Sequence, residues 1–241
     1  MSDNCSFATW EPVYEAILAD FGFDRSADEA ARDVATEIAQ PFDHSHLAHL
    51  DGATVAVVGA APSLSVEIAS FDRESVDAIV AASTAVDVLA DHDLVVDLMV
   101  TDLDKNVETA RELTHAGTPV AAHAHGDNIP TLREWLPQFD PALTLVTTQA
   151  EPQGAVENFG GFTDGDRAAF IADAFGAAEL RFFGWNFDDP SVDPLKARKL
   201  RWAEQLLYWL ERRRGERFAV LDGRRESLAD DPLTVSTDDG I

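Results

Sequence analysis

The stretch Leu94-Val95-Val96-Asp97-Leu98-Met99-Val100-Thr101-Asp102-Leu103-Asp104-Lys105 decides how this chain reads. Its β-branched and apolar residues up to Val100 predict a strand, the acidic pair marks that strand's carboxyl end, and a helical pattern begins at Val107. If extended pairing persists past Thr101, Asp102 and Asp104 point to the same side. Two oxygens so placed suit Mg²⁺, a hard cation that takes one or two carboxylates and leaves its other positions to water and phosphate.

The same pattern repeats along the chain. Thr54–Val58, Ala78–Ala82, Pro119–Ala122, Leu143–Thr147, Leu180–Phe183 and Phe218–Leu221 are short apolar runs that predict strands, with helical stretches between most of them. Such alternation predicts an α/β domain over residues 51–225, Rossmann-like, with a largely parallel sheet flanked by helices and right-handed crossovers. Ahead of it, Val13, Ile17, Leu18 and Phe21 form one helical stripe and Ala30, Ala31, Val34 and Ile38 another, with Ser26 or Asp28 as a cap. Residues 1–50 therefore read as a small helical N-terminal segment whose apolar stripes need a partner surface, either the sheet or a second subunit of a homo-oligomer. The histidines at 44, 46 and 49 read as a solvated loop, and the acidic residues 226–241 as a tail without fixed structure.

The chain carries 44 acidic against 18 basic side chains, a formal charge of −26, and only three of the basic residues are lysine: Lys105, Lys196 and Lys199. A surface this acidic and this poor in lysine points to halophilic adaptation, a protein kept soluble in concentrated salt. Free nucleic acid is a poor partner for it, because binding a phosphate backbone relies on clustered cations and weakens as salt rises. Cys5 is the single cysteine, which excludes an internal disulfide and a thiolate metal site. No apolar run approaches the roughly 18 residues of a spanning helix, so the expectation is a cytoplasmic protein with no membrane partner.

Each predicted strand ends in polar or glycine-bearing sequence: Gly59-Ala60-Ala61-Pro62-Ser63, Ser83-Thr84, Thr101 to Asp104, His123-Ala124-His125-Gly126-Asp127-Asn128, Thr147-Thr148-Gln149, and Gly184-Trp185-Asn186. In an open parallel sheet these six segments converge on one crevice. Gly59, Pro62 and Ser63 form a tight turn into a helix whose free N–H groups suit an anion, although neither a dinucleotide fingerprint nor a phosphate-loop lysine is present. Asp127 is a third carboxylate for the metal, with His125 placed to orient or to contact phosphate. Histidines two apart, His123 and His125, also fit a zinc site.

From Asn158 to Arg167, glycines and aromatics precede Thr163-Asp164-Gly165-Asp166-Arg167 at a predicted helix start, where acidic residues suit the macrodipole. Residues 196–225 hold ten basic side chains against four acidic ones. Lys196 and Lys199 share a face of the helix that Asp193-Pro194 begins and Gly215 ends, and with Lys105 they are the candidates for a polyphosphate.

Taken together, Gly-Ala-Ala-Pro-Ser-Leu at 59–64, Val-Thr-Asp-Leu-Asp at 100–104, His-Ala-His-Gly-Asp-Asn at 123–128, Asn-Phe-Gly-Gly-Phe-Thr-Asp-Gly-Asp-Arg-Ala at 158–168 and Lys196 to Trp202 resemble the archaeal 6-hydroxymethyl-7,8-dihydropterin pyrophosphokinases, the MptE-like family. The resemblance runs from about residue 10 to 222 and extends more remotely to the thiamin pyrophosphokinase catalytic domain. It implies Mg²⁺- and ATP-dependent transfer of diphosphate to a reduced pterin with release of AMP, in folate or methanopterin synthesis. On that basis Asp102, Asp104 and Asp127 would hold metal, and Asp164 and Asp166 would complete the metal shell or accept the substrate proton. Arg167, Lys196 and Lys199 would neutralise charge, and Asn128, Asn158 and Thr163 would meet the substrate. Ala60, Ala61 and Ala82-Ser83-Thr84 depart from the family pattern. The Asp-x-Asp pair also fits a nucleotide-sugar glycosyltransferase, the histidines a zinc hydrolase, and the glycine turns a nucleotide-sensing module.

Overall fold

A computed structural model describes residues 6–234; Cys5 lies outside them. Six strands, β1 (Thr54–Val58), β2 (Ala78–Ala82), β3 (Leu98–Thr101), β4 (Val120–Ala124), β5 (Thr144–Thr148) and β6 (Glu179–Phe183), form one sheet in the order 5-4-3-2-1-6. Every pairing is parallel. Helices α3 (Leu64–Ile68), α4 (Ala85–Ala90), α5 (Val107–Ala116) and α6 (Ile129–Trp135) carry the chain stepwise from β1 to β5, while α7 (Asp164–Ala174) carries it back across the sheet to β6. Right-handed crossovers running in opposite directions must lie on opposite faces.

Alternation along the strands feeds those two layers. Val55 and Val57, Ala78 and Val80, and Leu98 and Val100 join one core with α7, while Ala56 and Val58, Ile79 and Ala81, and Met99 join the other with α3 to α6. α7 is buried on nearly every side, because it lies between the sheet and two further helices, α1 (Phe7–Phe21) and α8 (Pro194–Arg214). Trp10 of α1 meets Phe170 of α7 edge-on at 6.4 Å. Helix α2 (Arg25–Ile38) instead buries Ala31 and Ala35 in the opposite core, against α6 and the β4–β5 end of the sheet. The N-terminal stripes thus find their partner surface within the chain.

Three local expectations need correction. Phe218–Leu221 is no strand: Phe218 is buried and a 3₁₀ turn, Ala219–Leu221, follows it, since β6 already ends the sheet. The acidic stretch after residue 226 is docked as far as it is described. Gln205 of α8 donates to the Ala229 carbonyl and accepts from its N–H at 2.7 and 3.0 Å, and Pro232 is buried; residues 235–241 lie outside the described part. Helix α2 is capped by neither Ser26 nor Asp28 but by Asp24, whose carboxylate accepts from the Ser26 N–H at 2.9 Å; His44, His46 and His49 are exposed as expected, on a 3₁₀ helix, His44–Leu50.

Candidate active site

β1 and β6 are neighbours whose onward connections, α3 and α8, leave on opposite faces. This is the switch point of the sheet, where an open parallel fold leaves its crevice. The turn after β1 and the turn after β6 touch there. A Cβ on Gly59 would stand 2.6 Å from the Gly184 carbonyl oxygen, and one on Gly184 would stand 2.4 Å from that of Gly59. Only glycine lets the two strand ends close in this way.

The crevice is a cavity of about 490 Å³. Gly59 to Pro62 line one side, Ser83 and Thr84 the next, then Asp102, Asp104 and Lys105, with Thr163 and Asp164 at the start of α7 and Lys196 and Lys199 on α8. Four of the six converging strand ends line it, and the other two, after β4 and β5, line a smaller cavity beside it. Ser83 bears a buried hydroxyl with no partner and a positive φ of 34°, and the buried Ser63 hydroxyl is likewise unpaired.

Asp102 and Asp104 are not aligned by strand alternation, because β3 stops at Thr101. Leu103 adopts φ +65° and Asn106 φ +53°, a costly pair of left-handed non-glycine residues. Thr101 Oγ1 accepts from the Leu103 N–H at 3.0 Å, and the Asp102 carboxylate accepts from the Asp104 N–H at 3.2 Å. A turn, not a strand, brings the two carboxylates together. They titrate as a pair. Burial and the neighbouring Asp102 push Asp104 up to about 6, against Lys105 and Lys196. Asp102, in spite of its burial, is held low by hydrogen bonding with Asp104 and by His125.

Asp164 joins them from α7. Its carboxyl is pushed well above the usual range by burial and by Asp102, although Arg167 stands 3.0 Å away. Asp166 does something else: its carboxylate accepts the Phe162 and Thr163 N–H groups, at 2.5 and 2.9 Å, and the Thr163 hydroxyl. It caps α7 and lines neither cavity.

A second, smaller cavity of about 100 Å³ adjoins the crevice, and Asp102, Phe162 and Lys199 border both. Its other walls are His123, His125, Gly126, Asp127, Gln149 and Arg167, with Phe23, Asp24, Ala27 and Asp28 from the N-terminal helices. His125 and Asp127 therefore sit here, on the far side of Asp102 from the glycine turn. Burial, with Arg167 nearby, keeps both imidazoles below their usual pKa. Nε2 of His123, Nε2 of His125 and Nε of Arg167 are buried without partners.

The two asparagines are positioning residues. Asn128 donates to the Asp102 and His123 carbonyls at 2.6 and 2.7 Å and accepts from the His125 N–H, tying the β3 and β4 ends together. Asn158 spans the loop after β5, donating to Ala150 and accepting from Gly160. Neither lines a cavity. The basic C-terminal stretch resolves by residue type: Arg198, Arg214, Arg224 and Arg225 pair with Asp20, Asp173, Glu204 and Glu211, and Lys196 and Lys199 face the crevice. Gln149 stands at one of the predicted strand ends, whereas Asp28 and Phe23 carry no local signal of a site because nothing nearby in the sequence links α2 to the ends of β4 and β5.

Among the described residues no three His, Cys, Asp or Glu side chains are gathered as a ready-made metal cage. The donor set nevertheless fits Mg²⁺. Mutually repelling carboxylates line an open crevice, which is how a cation that keeps its waters and shares phosphate is held. The histidine-zinc arrangement lacks a gathered third ligand.

Fold and site define a class: a Rossmann-like α/β protein whose crevice at the switch point of a parallel sheet is lined by Asp102, Asp104, Asp164 and three lysines. The chain belongs to the MptE-like family, described as 6-hydroxymethylpterin diphosphokinase MptE-like, which matches residues 30–191. Proteins named 6-hydroxymethyl-7,8-dihydropterin pyrophosphokinase are similar over 84% of this chain. That of Methanothermobacter thermautotrophicus is 36% identical across 94% of its own length, and that of Pyrococcus furiosus 35% across 93%. The Methanocaldococcus jannaschii protein of that name is 29% identical across 94%. No helix among the described residues is long and apolar enough to cross a membrane.

Proposed function

We propose that this chain is a 6-hydroxymethyl-7,8-dihydropterin pyrophosphokinase that transfers the β,γ-diphosphoryl unit of ATP to the pterin hydroxymethyl group and releases AMP. The observation that carries this reading is the crevice in which carboxylates and lysines of separate elements face one another beside a glycine turn. The names of the relatives agree with it. A glycosyltransferase would use the same Asp pair, but the similar proteins give it no support.

Transfer forms a bond from the pterin oxygen to the β-phosphorus, breaks the bond between that phosphorus and the oxygen bridging to the α-phosphate, and moves the hydroxyl proton to a base. Such chemistry rests on positioning and charge neutralisation. The turn Gly59 to Ser63, with the unpaired hydroxyls of Ser63 and Ser83, binds phosphate and the nucleotide. Asp102 and Asp104 would hold Mg²⁺, which would supply positive charge against the polyphosphate. Asp164, with its raised pKa, accepts the hydroxyl proton or completes that shell. Lys105, Lys196 and Lys199 neutralise the polyphosphate, and Arg167 orients Asp164. Asp127 stands at the rim on the other side of Asp102, a site for a second cation. The test is AMP formation in multimolar KCl with Mg²⁺ and ATP, comparing the reduced pterin with thiamin. AMP formed with the pterin alone is expected; AMP with thiamin, or with neither from folded protein, rejects the reading.

A further inference from the structure

The nucleotide reading uses one of the two adjoining cavities and leaves the smaller one, walled by α2, without an occupant. We propose that this pocket, about 100 Å³ in volume, takes the 2-amino-4-oxopyrimidine edge of the acceptor's flat, neutral heterocycle, with the rest of the ring lying toward the crevice across the shared residues Asp102, Phe162 and Lys199. The proposal rests on the pyrophosphokinase reading only for which acceptor is offered.

Its chemistry suits a neutral ligand better than phosphate. Among its walls the carboxylates of Asp24, Asp28, Asp102 and Asp127 outnumber the cations Arg167 and Lys199, a balance that disfavours a polyanion. Nε2 of each imidazole is buried without a partner and can pair with an N–H or with a carbonyl, according to tautomer. With Arg167 Nε, three buried polar atoms lack partners here, and His123 and Arg167 are only 1% and 3% exposed. Left unmatched, such groups cost stability; a ring bearing donors and acceptors on one edge would satisfy them.

Asp28 links the pocket to the N-terminal segment. It accepts from the Tyr14 hydroxyl of α1 at 2.8 Å, from Gln149 Nε2 at 2.7 Å and from the Gly126 N–H at 2.8 Å. A carboxylate has about four acceptor positions, so one remains on Oδ1 for the ligand's amino group. Phe162 borders both cavities, and Phe23, 39% exposed between α1 and α2, closes the outer side. Phe23 stacks on Phe21 with ring centroids 5.1 Å apart, and Phe21 lies 5.2 Å from Phe162, so this side offers an aromatic wall against which a flat ring can stack. Since Asp102 borders both cavities, a ring seated here presents its substituent to the polyphosphate where the carboxylates are.

The experiment uses the full chain in multimolar KCl and follows the fluorescence of oxidised 6-hydroxymethylpterin without nucleotide, with turnover of the reduced pterin measured in parallel. Wild type should bind the probe saturably, and a non-hydrolysable ATP analogue should not compete. Phe23→Ala should weaken probe binding and raise KM for the pterin about tenfold, the size of one aromatic contact, with KM for ATP unchanged. Asp28→Asn should weaken the probe without shifting KM for ATP, and Lys196→Ala should do the reverse. Absence of saturable binding, displacement by the ATP analogue, or unchanged pterin binding in both Phe23→Ala and Asp28→Asn would overturn the proposal. Binding of the probe without AMP formation would retain the pocket and reject the pyrophosphokinase reading.

Discussion

Replacing Asp104 by Asn should make the metal-free protein more stable, and the gain should depend on pH. Asp104 is pushed up from an ordinary 3.8 to about 6, chiefly by burial and by Asp102. The folded state therefore disfavours the ionised form. Below about pH 4 the carboxyl is protonated in both folded and unfolded chains and contributes nothing. As pH rises through 6 the folded protein pays the full cost of ionising it. The difference in pKa corresponds to about 3 kcal/mol at 1.4 kcal/mol per tenfold. Asp104 is exposed at its surface, so solvent screening reduces this to about 1.5 kcal/mol. The attraction of Lys105 and Lys196 already opposes the shift and needs no separate allowance. Denaturant unfolding in constant multimolar KCl with a chelator, at pH values from about 4.5 to 8, should show a gap between Asp104→Asn and wild type that opens with pH. Adding Mg²⁺ should stabilise wild type more than the variant and narrow the gap. A variant no more stable than wild type at pH 8, or a gap independent of pH, would refute the idea that the carboxylates are held together against repulsion.

Asp164 and Asp166 should separate cleanly: Asp164→Asn abolishes turnover while folding is kept, whereas Asp166→Ala, losing a charged cap with three hydrogen bonds, costs about 2–4 kcal/mol in unfolding experiments. Asn128→Ala leaves the Asp102 and His123 carbonyls unpaired and should cost a similar 2–4 kcal/mol together with most of the activity, read by unfolding and turnover on the same sample. Gly59→Ala should raise KM for ATP at least tenfold, because its Cβ would lie 2.6 Å from the Gly184 carbonyl and the two turns must part; an unchanged KM would remove the glycine turn from the nucleotide site. Dilution from multimolar KCl to about 0.1 M should lower the unfolding midpoint, since a formal charge of −26 is then poorly screened.

The alternation of short apolar runs with helical stretches made the parallel sheet legible, and the polar strand ends made the crevice legible, because both are local patterns repeated along the chain. Phe218–Leu221 failed because an apolar tetrapeptide reads the same whether it enters a sheet or plugs a core. The Asp102–Asp104 alignment was right in outcome and wrong in cause: the left-handed Leu103 that makes the turn has no signature in a leucine. Asp166 and Asn158 carry the residue types of a site, yet spend their hydrogen bonds on backbone, and only the fold distinguishes the two uses. Asp28, about a hundred residues from Gly126 in sequence and 2.8 Å from it in space, lay beyond any motif.

In the proposed reaction, diphosphoryl transfer takes place between two adjoining cavities that meet at Asp102. It is tested most directly by phosphorus NMR of the reaction of ATP with the reduced pterin in multimolar KCl and Mg²⁺. AMP and a diphosphate ester of the pterin should appear in one-to-one ratio, both absent with Asp102→Asn; ADP with a monophosphate ester, or inorganic phosphate alone, would rule out diphosphoryl transfer.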